Sequence, residues 1–320
     1  MAKKQTAAQT LDDVIKWRPA LKSVLEAFAP VLTAQEELAA AIAGKIGTAA
    51  DVAAMGVPAW DNQRLAQGLS LLPGTSLEPL APHFVHSAEV MLPLLEERLD
   101  MVRENGAALR RLMDAGVDSK QCATLMEALA ADEQVTLGKI AEQAGISEPL
   151  LGFAGQMVLS PVLHGLVQAM TANLEEEEKE LPWEENNAWQ QGYCPVCGAL
   201  PTISWLSRPA IDAKNAYLAG GGGKKHLHCS QCGADWKFPR AKCPACGNGE
   251  SLKNLRETEN NHGERIDWCG KCKGYCCNVD LRERLALPNL DALALGLMHL
   301  DMVAAQKKLR PLRPMFWNMM

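Results

Sequence analysis

The sequence contains few aromatic residues and lacks the common signatures of catalysis. Its 320 residues include five Phe and three Tyr, although Trp occurs eight times. There is no HExxH helix, no dinucleotide-binding fingerprint and no Walker phosphate loop. No Ser, His and Asp residues form a recognisable catalytic set. These absences leave no argument for turnover of a small substrate, and the sequence predicts a protein that is not an enzyme.

The sequence also lacks a secretion signal and an unbroken apolar run. Residues 1–13 become polar at once and do not form the basic and apolar segments of a signal peptide. The most apolar stretch, residues 150–170, is interrupted by Gly152, Gly155, Pro161, His164 and Gln168. Such a stretch predicts a buried helix and no membrane insertion. We therefore expect a cytoplasmic protein.

Charge is distributed unevenly along the chain. The net charge of −6 divides into −13 over residues 1–193, +4 over residues 194–280 and +3 over residues 281–320. Hydrophobic residues make up 48% of the chain and charged residues 22%, as in a folding globular protein. The length favours two domains. The pattern predicts an acidic helical body joined to a mildly basic second half.

The first half shows helical periodicity throughout. Leu21, Val24, Leu25 and Phe28, for example, follow the spacing of one helical face. The sequence predicts a capping box at residues 33–36 and a long helix over 87–115 with a bend at Pro93. It also predicts a helix after Asp118 that carries a buried Cys122. A final helix is predicted over residues 290–307. Residues 136–147 resemble the start of a DNA-reading helix-turn-helix, but residues 140–173 contain no Lys or Arg, which favours a core helix.

Ten of the eleven cysteines lie between residues 194 and 277, and eight of them form four CxxC turns. A CxxC turn directs two thiolates towards one ion, and a glycine after the second cysteine can take the positive φ that the turn requires. Two such turns complete a tetrathiolate site for zinc or for a single iron. Sequential pairing of the turns is favoured, and interleaved pairing stays open. The predicted metal ligands are Cys194, Cys197, Cys229, Cys232, Cys243, Cys246, Cys269 and Cys272.

Other interpretations of these residues carry less weight. Thioredoxin-like catalysis needs one reactive CxxC at the start of a helix, and a [4Fe–4S] cluster usually draws three cysteines from one short run. Cys276 and Cys277 are interpreted as packing thiols, with a redox or ligand role as the alternative. His226 and His228 could replace a ligand, although surface or supporting roles are favoured. Trp205, Trp236 and Trp268 are expected to cover the metal modules.

The predicted fold class combines helices with small metal-bound β modules. We expect an all-α domain over residues 1–185, followed by two rubredoxin-like or zinc-ribbon-like modules over residues 186–241 and 242–284. A C-terminal helix and tail should occupy residues 285–320.

An ordered set of motifs resembles one known family. The segments CPVCGALP (194–201), HLHCSQCGADW (226–236), KCPACG (242–247) and WCGKCKGYCCNVD (268–280) are similar to those of the formate dehydrogenase accessory protein family, FdhE. The resemblance covers roughly residues 145–320. It implies a non-catalytic maturation factor, or chaperone, with two rubredoxin-like iron sites held by the eight cysteines of the CxxC turns.

The resemblance also implies a partner. Family members bind the catalytic subunit of a respiratory formate dehydrogenase in the cytoplasm before twin-arginine export. Zinc in either site, and a homo-oligomer, stay open. One departure is that Tyr275 is followed by Cys276 and Cys277, where the family usually has Leu-Lys. The alternative function is a zinc-ribbon protein that binds nucleic acid or assists transcription, which the acidic body disfavours.

Overall fold

The computed structural model describes residues 4–58, 60, 62–176, 180–184, 188–207, 223–256 and 263–318. In these ranges, helices form the first half and strands predominate between residues 203 and 280. Two further helices follow the strands. The fold class predicted from the sequence is therefore confirmed: a helical region precedes a β-containing region that carries two groups of four cysteines.

The secondary-structure elements occur in this order along the described residues. The first nine helices are α1 (Ala7–Trp17), α2 (Lys22–Ile46), α3 (Ala49–Ala54), α4 (Asn62–Ala66), α5 (Ala81–Glu96), α6 (Asp100–Met113), α7 (Ser119–Ala131), α8 (Gln134–Ala144) and α9 (Glu148–Glu176). The next elements are β1 (Ile203–Leu206), β2 (Lys225–His228), β3 (Asp235–Lys237), β4 (Leu252–Leu255), β5 (Glu264–Cys269) and β6 (Gly274–Asp280). The chain continues with α10 (Leu290–Gly296), α11 (Met298–Gln306) and β7 (Arg310–Pro311).

Helix α9 lies at the centre of the helical body and packs against α2, α5, α7 and α8. Its segment Glu148–Ala172 is long and apolar enough to cross a membrane, but 72% of its most apolar window is buried inside the fold. The predicted buried helix is thus confirmed. A Cβ on Gly165 would lie 2.7 Å from Ile42 Cγ2, so glycine is needed where α2 and α9 approach each other.

The capping box predicted at residues 33–36 is wrong. Helix α2 runs without interruption from residue 22 to residue 46, so the backbone N–H groups of residues 33–36 lie inside a continuous helix. A capping box acts on the unpaired N–H groups of a first turn, and none exist at this position. Capping boxes instead begin α1, with Thr6 and Gln9, and α3, with Thr48 and Asp51.

The long helix predicted over residues 87–115 is divided in two, shortly after the bend expected at Pro93. Helix α5 includes Pro93 and ends at residue 96, one turn after this proline. Leu99 has extended backbone angles (φ −129°, ψ 109°), and α6 starts after it. The apolar period continues across the break, so Pro93, and not the periodicity, is the sequence feature that indicates it. The helix predicted after Asp118 is confirmed, and the Asp118 side chain caps α7.

The predicted C-terminal helix is likewise two short helices that meet at Leu297. Asn289 starts the first of them, because its side chain accepts hydrogen bonds from the N–H groups of Asp291 and Ala292. Gly296 ends it against α1, where an added Cβ would lie 2.9 Å from Val14 Cγ2. Packing against α1 therefore accompanies the change of direction.

The strands form one mixed sheet. Among the described residues its order is β3-β2-β1-β6-β5-β4, with β7 added beside β6. The pairs β1–β2 and β2–β3 are antiparallel, and so are β4–β5 and β5–β6. The parallel pair β1–β6 joins these two groups of strands, with Ile203 opposite Cys277. The two metal modules predicted from the sequence thus share a continuous sheet.

Two hydrophobic cores hold the fold together. The larger core includes most helices from α2 to α9 and extends into residues 194–238 around the first two CxxC turns. The smaller core combines α1, parts of β1, β5 and β6, and helices α10 and α11. The predicted boundary at 185/186 falls in residues 185–187, outside the described residues, and the domain limits stay a prediction.

Candidate metal centres

Each CxxC turn is closed by a backbone hydrogen bond from the residue after its second cysteine. The N–H groups of Gly198, Gly233 and Gly247 donate to the carbonyl oxygens of the first cysteines over 3.0, 2.7 and 2.9 Å. These glycines have φ values of +80°, +76° and +70°, as predicted. The fourth turn differs, because Lys273 occupies this position and takes the left-handed conformation with φ +61°.

The first two turns bring four cysteines to one point, which we call the first site. The Sγ atoms of Cys194 and Cys232 are 3.5 Å apart, and so are those of Cys197 and Cys229. All four Sγ atoms lie within 4.8 Å of one another. Sequential pairing of the CxxC turns is the arrangement in the structure, and the interleaved alternative is excluded.

The third and fourth turns form the second site in the same way. The Sγ atoms of Cys243 and Cys272 are 3.7 Å apart, as are those of Cys246 and Cys269. The four sulfurs again lie within 4.8 Å of one another. Each of the two close sulfur pairs therefore contains one cysteine from the third CxxC turn and one from the fourth.

These sulfur separations fit a tetrahedral ion. With metal–sulfur bonds of about 2.3 Å, the edge of a tetrahedron is about 3.8 Å, which matches both groups. Thiolates suit zinc and iron equally, so the geometry does not select between them. Each group could therefore hold one metal ion.

Burial also disfavours the ionised form of the thiols in the first site. Burial raises the pKa values of the Cys194 and Cys232 thiols well above the usual range. Hydrogen bonds from the neighbouring thiols, led by that from Cys194, lower the pKa of Cys229. A buried group of four thiols thus resists complete ionisation, and a divalent or trivalent cation would supply the missing stabilisation.

The helical body covers the first site on both sides. Near the first turn, the N–H groups of Leu71 and Leu72 donate to the carbonyls of Pro195 and Val196, both over 2.9 Å. The Ser70 hydroxyl donates to the Cys194 carbonyl over 2.8 Å. All four cysteines of this site are at most 6% exposed. The first site is consequently part of the junction between the helices and the sheet.

The second turn is joined to the helical body through α9 and α7. His164 and Ser160 of α9 lie 3.1 Å from the Ser230 carbonyl oxygen. The Gln231 side chain donates to the Ala130 carbonyl over 2.8 Å. A Cβ on Gly233 would lie 2.8 Å from the His164 ring, so this glycine also permits close approach of α9.

The second site is more accessible than the first. Cys243 and Cys269 are buried, but Cys246 is exposed and Cys272 is partly exposed. The N–H of Gly274 donates to Cys272 Sγ over 3.4 Å. The two sites therefore have similar sulfur geometry but different surroundings.

His226 and His228 lie outside both groups of four sulfurs. The His226 ring stacks on Trp205 with centroids 4.1 Å apart. His228 lies between two carboxylates, 3.2 Å from Asp235 and 3.1 Å from Asp291. Burial alone would lower the pKa of His228, but the two carboxylates outweigh burial and raise it well above its usual value. Both rings are buried, so the surface role expected from the sequence is wrong. Their contacts lead to Trp205, Asp235 and Asp291, and a supporting role at the metal sites stays a prediction.

The three tryptophans differ in their surroundings. Trp236 is fully buried beside the first site, and its Nε1 donates to the Gln191 carbonyl over 3.1 Å. Trp205 Nε1 donates to Asp235 over 2.8 Å. Trp268 is partly exposed next to the second site, on the strand that carries Cys269. Of the tryptophans predicted to cover the metal modules, Trp236 is thus fully buried at the first module and Trp268 is only partly buried at the second.

Cys276 and Cys277 are buried on β6 and take no part in either four-sulfur group. Burial raises the pKa of Cys276 to about 12. The Cys277 thiol donates to Asp301 over 3.8 Å, and the Tyr275 hydroxyl donates to the same carboxylate over 2.7 Å. These contacts agree with packing thiols and reveal a buried carboxylate that the sequence did not indicate.

Asp301 is expected to make folding stability depend on pH. Burial raises its pKa to about 6, although hydrogen bonds led by that from Tyr275 oppose this shift. A carboxyl with a raised folded-state pKa binds protons more tightly when folded, so stability falls as pH rises from about 4 through 6. Between pH 5 and 8, wild type should lose about 1 kcal/mol that Asp301→Asn does not lose. Urea unfolding at both pH values measures this difference.

Asp12→Asn is the matched control, because Asp12 is exposed on α1. It should follow the wild-type pH profile. An Asp301→Asn profile parallel to that of wild type would show that Asp301 ionises normally.

Sequence reasoning also missed a cleft between the helical body and the first site. It has a volume of about 540 Å³, and its walls come from α2, α9, the second CxxC turn and residues 313–317. The paired residues His228 and Asp291 lie on its lining, with apolar side chains such as Phe153 and Phe316. No local pattern could have indicated it, because its walls come from distant parts of the chain.

Comparison with known proteins identifies relatives of this chain. No family model matches the chain. The chain is 31% identical over 172 residues to the protein FdhE homolog of Aquifex aeolicus, covering 53% of each protein. It is 32% identical over 92 residues to the Shewanella baltica FdhE homolog, covering 29% of this chain and 27% of that protein. The chain thus spans about half or less of the length of these curated relatives.

A solved structure extends the similarity to nearly the whole fold. The crystal structure of the FdhE protein from Pseudomonas aeruginosa matches with a TM-score of 0.59 at 18% identity. The match covers 96% of this chain and 93% of that one, so the fold is shared. Together, the curated relatives and the shared fold confirm the resemblance to the FdhE family that the cysteine motifs indicated.

Proposed function

We propose that this FdhE-like chain is a non-catalytic maturation factor for a respiratory formate dehydrogenase. It would bind the immature catalytic subunit in the cytoplasm, before twin-arginine export. The observation that carries this proposal is the pair of four-cysteine sites on one sheet, within a fold shared with an FdhE protein. The named relatives support an accessory role for a chain of this kind.

The eight cysteines of the two sites would hold two metal ions, which we propose to be iron, with zinc as the alternative in either site. A four-thiolate iron ion can accept or donate one electron, whereas zinc serves structure alone. The protein supplies four closed turns, the sulfur spacing and, at Cys272, a backbone N–H donor that stabilises a thiolate. The role of the metal is then structural in the buried site and open to redox adjustment in the exposed one.

The division of the fold into a helical body and a sheet suggests how the client, the immature catalytic subunit, would be held. The first site fixes the sheet to the helical body through hydrogen bonds at both of its turns. This rigid junction keeps the second site and its surroundings in a constant orientation. A maturation factor needs such a preformed surface, because it must recognise a client that is not yet complete.

The alternative function, binding of nucleic acid by a zinc ribbon, is favoured by one observation. Exposed basic side chains surround the second site, including Lys242, Lys253 and Lys271. The net charge of −13 over residues 1–193 opposes it, since an extended polyanion would also meet the acidic helical body.

Co-purification tests the proposed function directly. A tagged chain co-expressed with a formate dehydrogenase catalytic subunit is expected to retain that subunit through washing, because the preformed surface recognises it. The control is the same tag on an unrelated acidic protein of similar size. Failure to recover the subunit above this control, at any salt concentration tested, would remove the maturation hypothesis.

A further inference from the structure

The surroundings of the second site contain a small, strongly basic depression. It has a volume of about 130 Å³, and Cys243 and Cys269 of the second site lie on its lining. Trp268 and Asp267 also line it. Its cationic side chains are Lys225, Arg240, Lys242, Lys253 and Arg265.

The positive charge of the depression exceeds the negative charge within it. Asp267 is the acidic group on the lining, and it pairs with Lys225 and Arg265, each at 2.7 Å. A metal ion with four thiolates would add one negative charge as ferric iron, or two as zinc or ferrous iron. Three positive charges therefore remain without a balancing group on the lining with ferric iron, and two with zinc or ferrous iron.

The exposed surface beside the depression has the same sign. Lys271 and Lys273 are exposed on the fourth turn, and Lys253 is exposed on the neighbouring strand. The structure describes all of residues 240–256, and the one acidic residue among them is Glu250, which is exposed. Like charges held together in this way raise one another's energy, so the surface gains stability from an anionic partner.

Trp268 fixes part of this surface. The Nζ atoms of Lys253 and Lys273 lie 5.2 and 5.6 Å from the centroid of its ring. Such cation–π contacts hold both ammonium groups beside the exposed Cys246 and Cys272 edge of the second site. The lysines also occupy positions over the ring where a nucleic-acid base would stack.

We propose that this basic surface is where the formate dehydrogenase catalytic subunit docks, through an acidic segment that places a carboxylate in the depression. The proposal rests on the proposed function and specifies the site and chemistry of its partner contact. A protein segment fits better than nucleic acid for two reasons. The depression admits one small anionic group, and the acidic helical body tolerates a local acidic segment better than a long polyanion.

Docking at this surface would place the client beside the accessible metal site. The exposed sulfur of Cys246 would lie at the interface, whereas the first site would stay buried in the junction. The contact would thus bring the client to the accessible four-cysteine site and not to the buried one.

Charge reversal tests the proposal. The variant Lys242→Glu/Lys253→Glu is expected to bind purified catalytic subunit at least about tenfold more weakly than wild type, because two attractive contacts become repulsive. The neutral variant Lys242→Gln/Lys253→Gln should fall between the two. Biolayer interferometry at 50 and 300 mM salt measures the affinities, and wild-type affinity should fall with salt. Lys120→Glu/Lys139→Glu is the matched control, since both lysines are exposed on the helical body.

Each outcome separates the two hypotheses. Metal content equal to wild type establishes that the variants keep the second site. If wild type binds and the charge-reversed variant binds equally well, the docking surface is wrong and the proposed function stands. If wild type does not bind, the proposed function fails and the docking surface with it. Tighter binding of a single-stranded oligonucleotide than of the subunit, lost in the same variant, would overturn the proposal in favour of nucleic acid.

Discussion

Replacing Cys232 by serine is expected to lower the free energy of unfolding by at least about 4 kcal/mol and to separate the sheet from the helical body. Structural metal ions contribute about 10 kcal/mol or more to the folding of small metal-bound modules, and losing one of four thiolates removes a large part of this. Cys232 is fully buried, so the remaining three thiols would be left crowded in an apolar environment.

Hydrogen exchange gives this prediction a local readout. The N–H groups of Leu71 and Leu72 donate to carbonyls of the first CxxC turn, so their protection reports whether that turn stays in place. In Cys232→Ser, both amides should exchange much faster, while amides in the middle of α9 lose less protection. Chemical unfolding followed by circular dichroism measures the global effect.

Cys122→Ser is the matched control. Cys122 is buried in α7 and belongs to neither four-sulfur group. Its replacement should cost about 1–2 kcal/mol, the usual penalty for burying a hydroxyl without a designed partner. Metal content should not change. Equal losses of stability in Cys232→Ser and Cys122→Ser, with unchanged protection of Leu71 and Leu72, would contradict a structural role for the first site.

The local geometry of the CxxC turns could be predicted from the sequence because it depends on neighbouring residues. A glycine after the second cysteine permits the left-handed backbone, and three of the four turns use it. The fourth turn shows that Lys273 can adopt the same conformation once the turn is fixed by its hydrogen bond to Cys269. Spacing also favoured sequential pairing, which the structure adopts.

The difference between the two sites could not be predicted, because it depends on distant contacts. The cover of the first site comes from Ser70, Ala130 and His164, which lie 124, 101 and 66 residues along the chain from the CxxC-turn residues that they contact. No periodicity links these positions to the CxxC turns. The second site lacks comparable cover among the described residues, so Cys246 is exposed.

The errors in helix prediction have a similar origin. Thr33 and Glu36 have the residue types of a capping box, but the helix had already begun eleven residues earlier. The break at Leu297 follows the contact of Gly296 with Val14, a residue at the other end of the chain. Local residue preferences were overruled in both places by the arrangement of neighbouring elements.

Chelation is expected to remove metal from the second site at least about tenfold faster than from the first. A chelator must reach a metal–sulfur bond, and Cys246 and Cys272 are accessible while the first site is buried. Release from the buried site requires the helix–sheet junction to open first, which adds the free energy of local unfolding to the barrier. Metal release should therefore occur in two phases of equal amplitude.

Excess chelator added to protein loaded with two metal ions measures these phases. Thiolate-to-iron absorption follows an iron-loaded sample, and a zinc-binding dye follows a zinc-loaded one. Cys246→Ser should abolish or accelerate the fast phase and leave the slow phase unchanged, because Cys246 belongs to the second site alone. Mild denaturant should accelerate the slow phase selectively, as expected for opening of the junction.

Lys253→Gln provides a matched control for the release kinetics. It alters an exposed side chain near the second site without touching a sulfur ligand, so both phases should persist. Release of both ions in a single phase would show that the two sites are equally accessible. A Cys246→Ser variant that alters the slow phase would show that the slow phase does not report the first site alone. The asymmetry in burial makes the opposite result the expected one: a buried ion that maintains the fold, and an accessible ion placed where a partner can reach it.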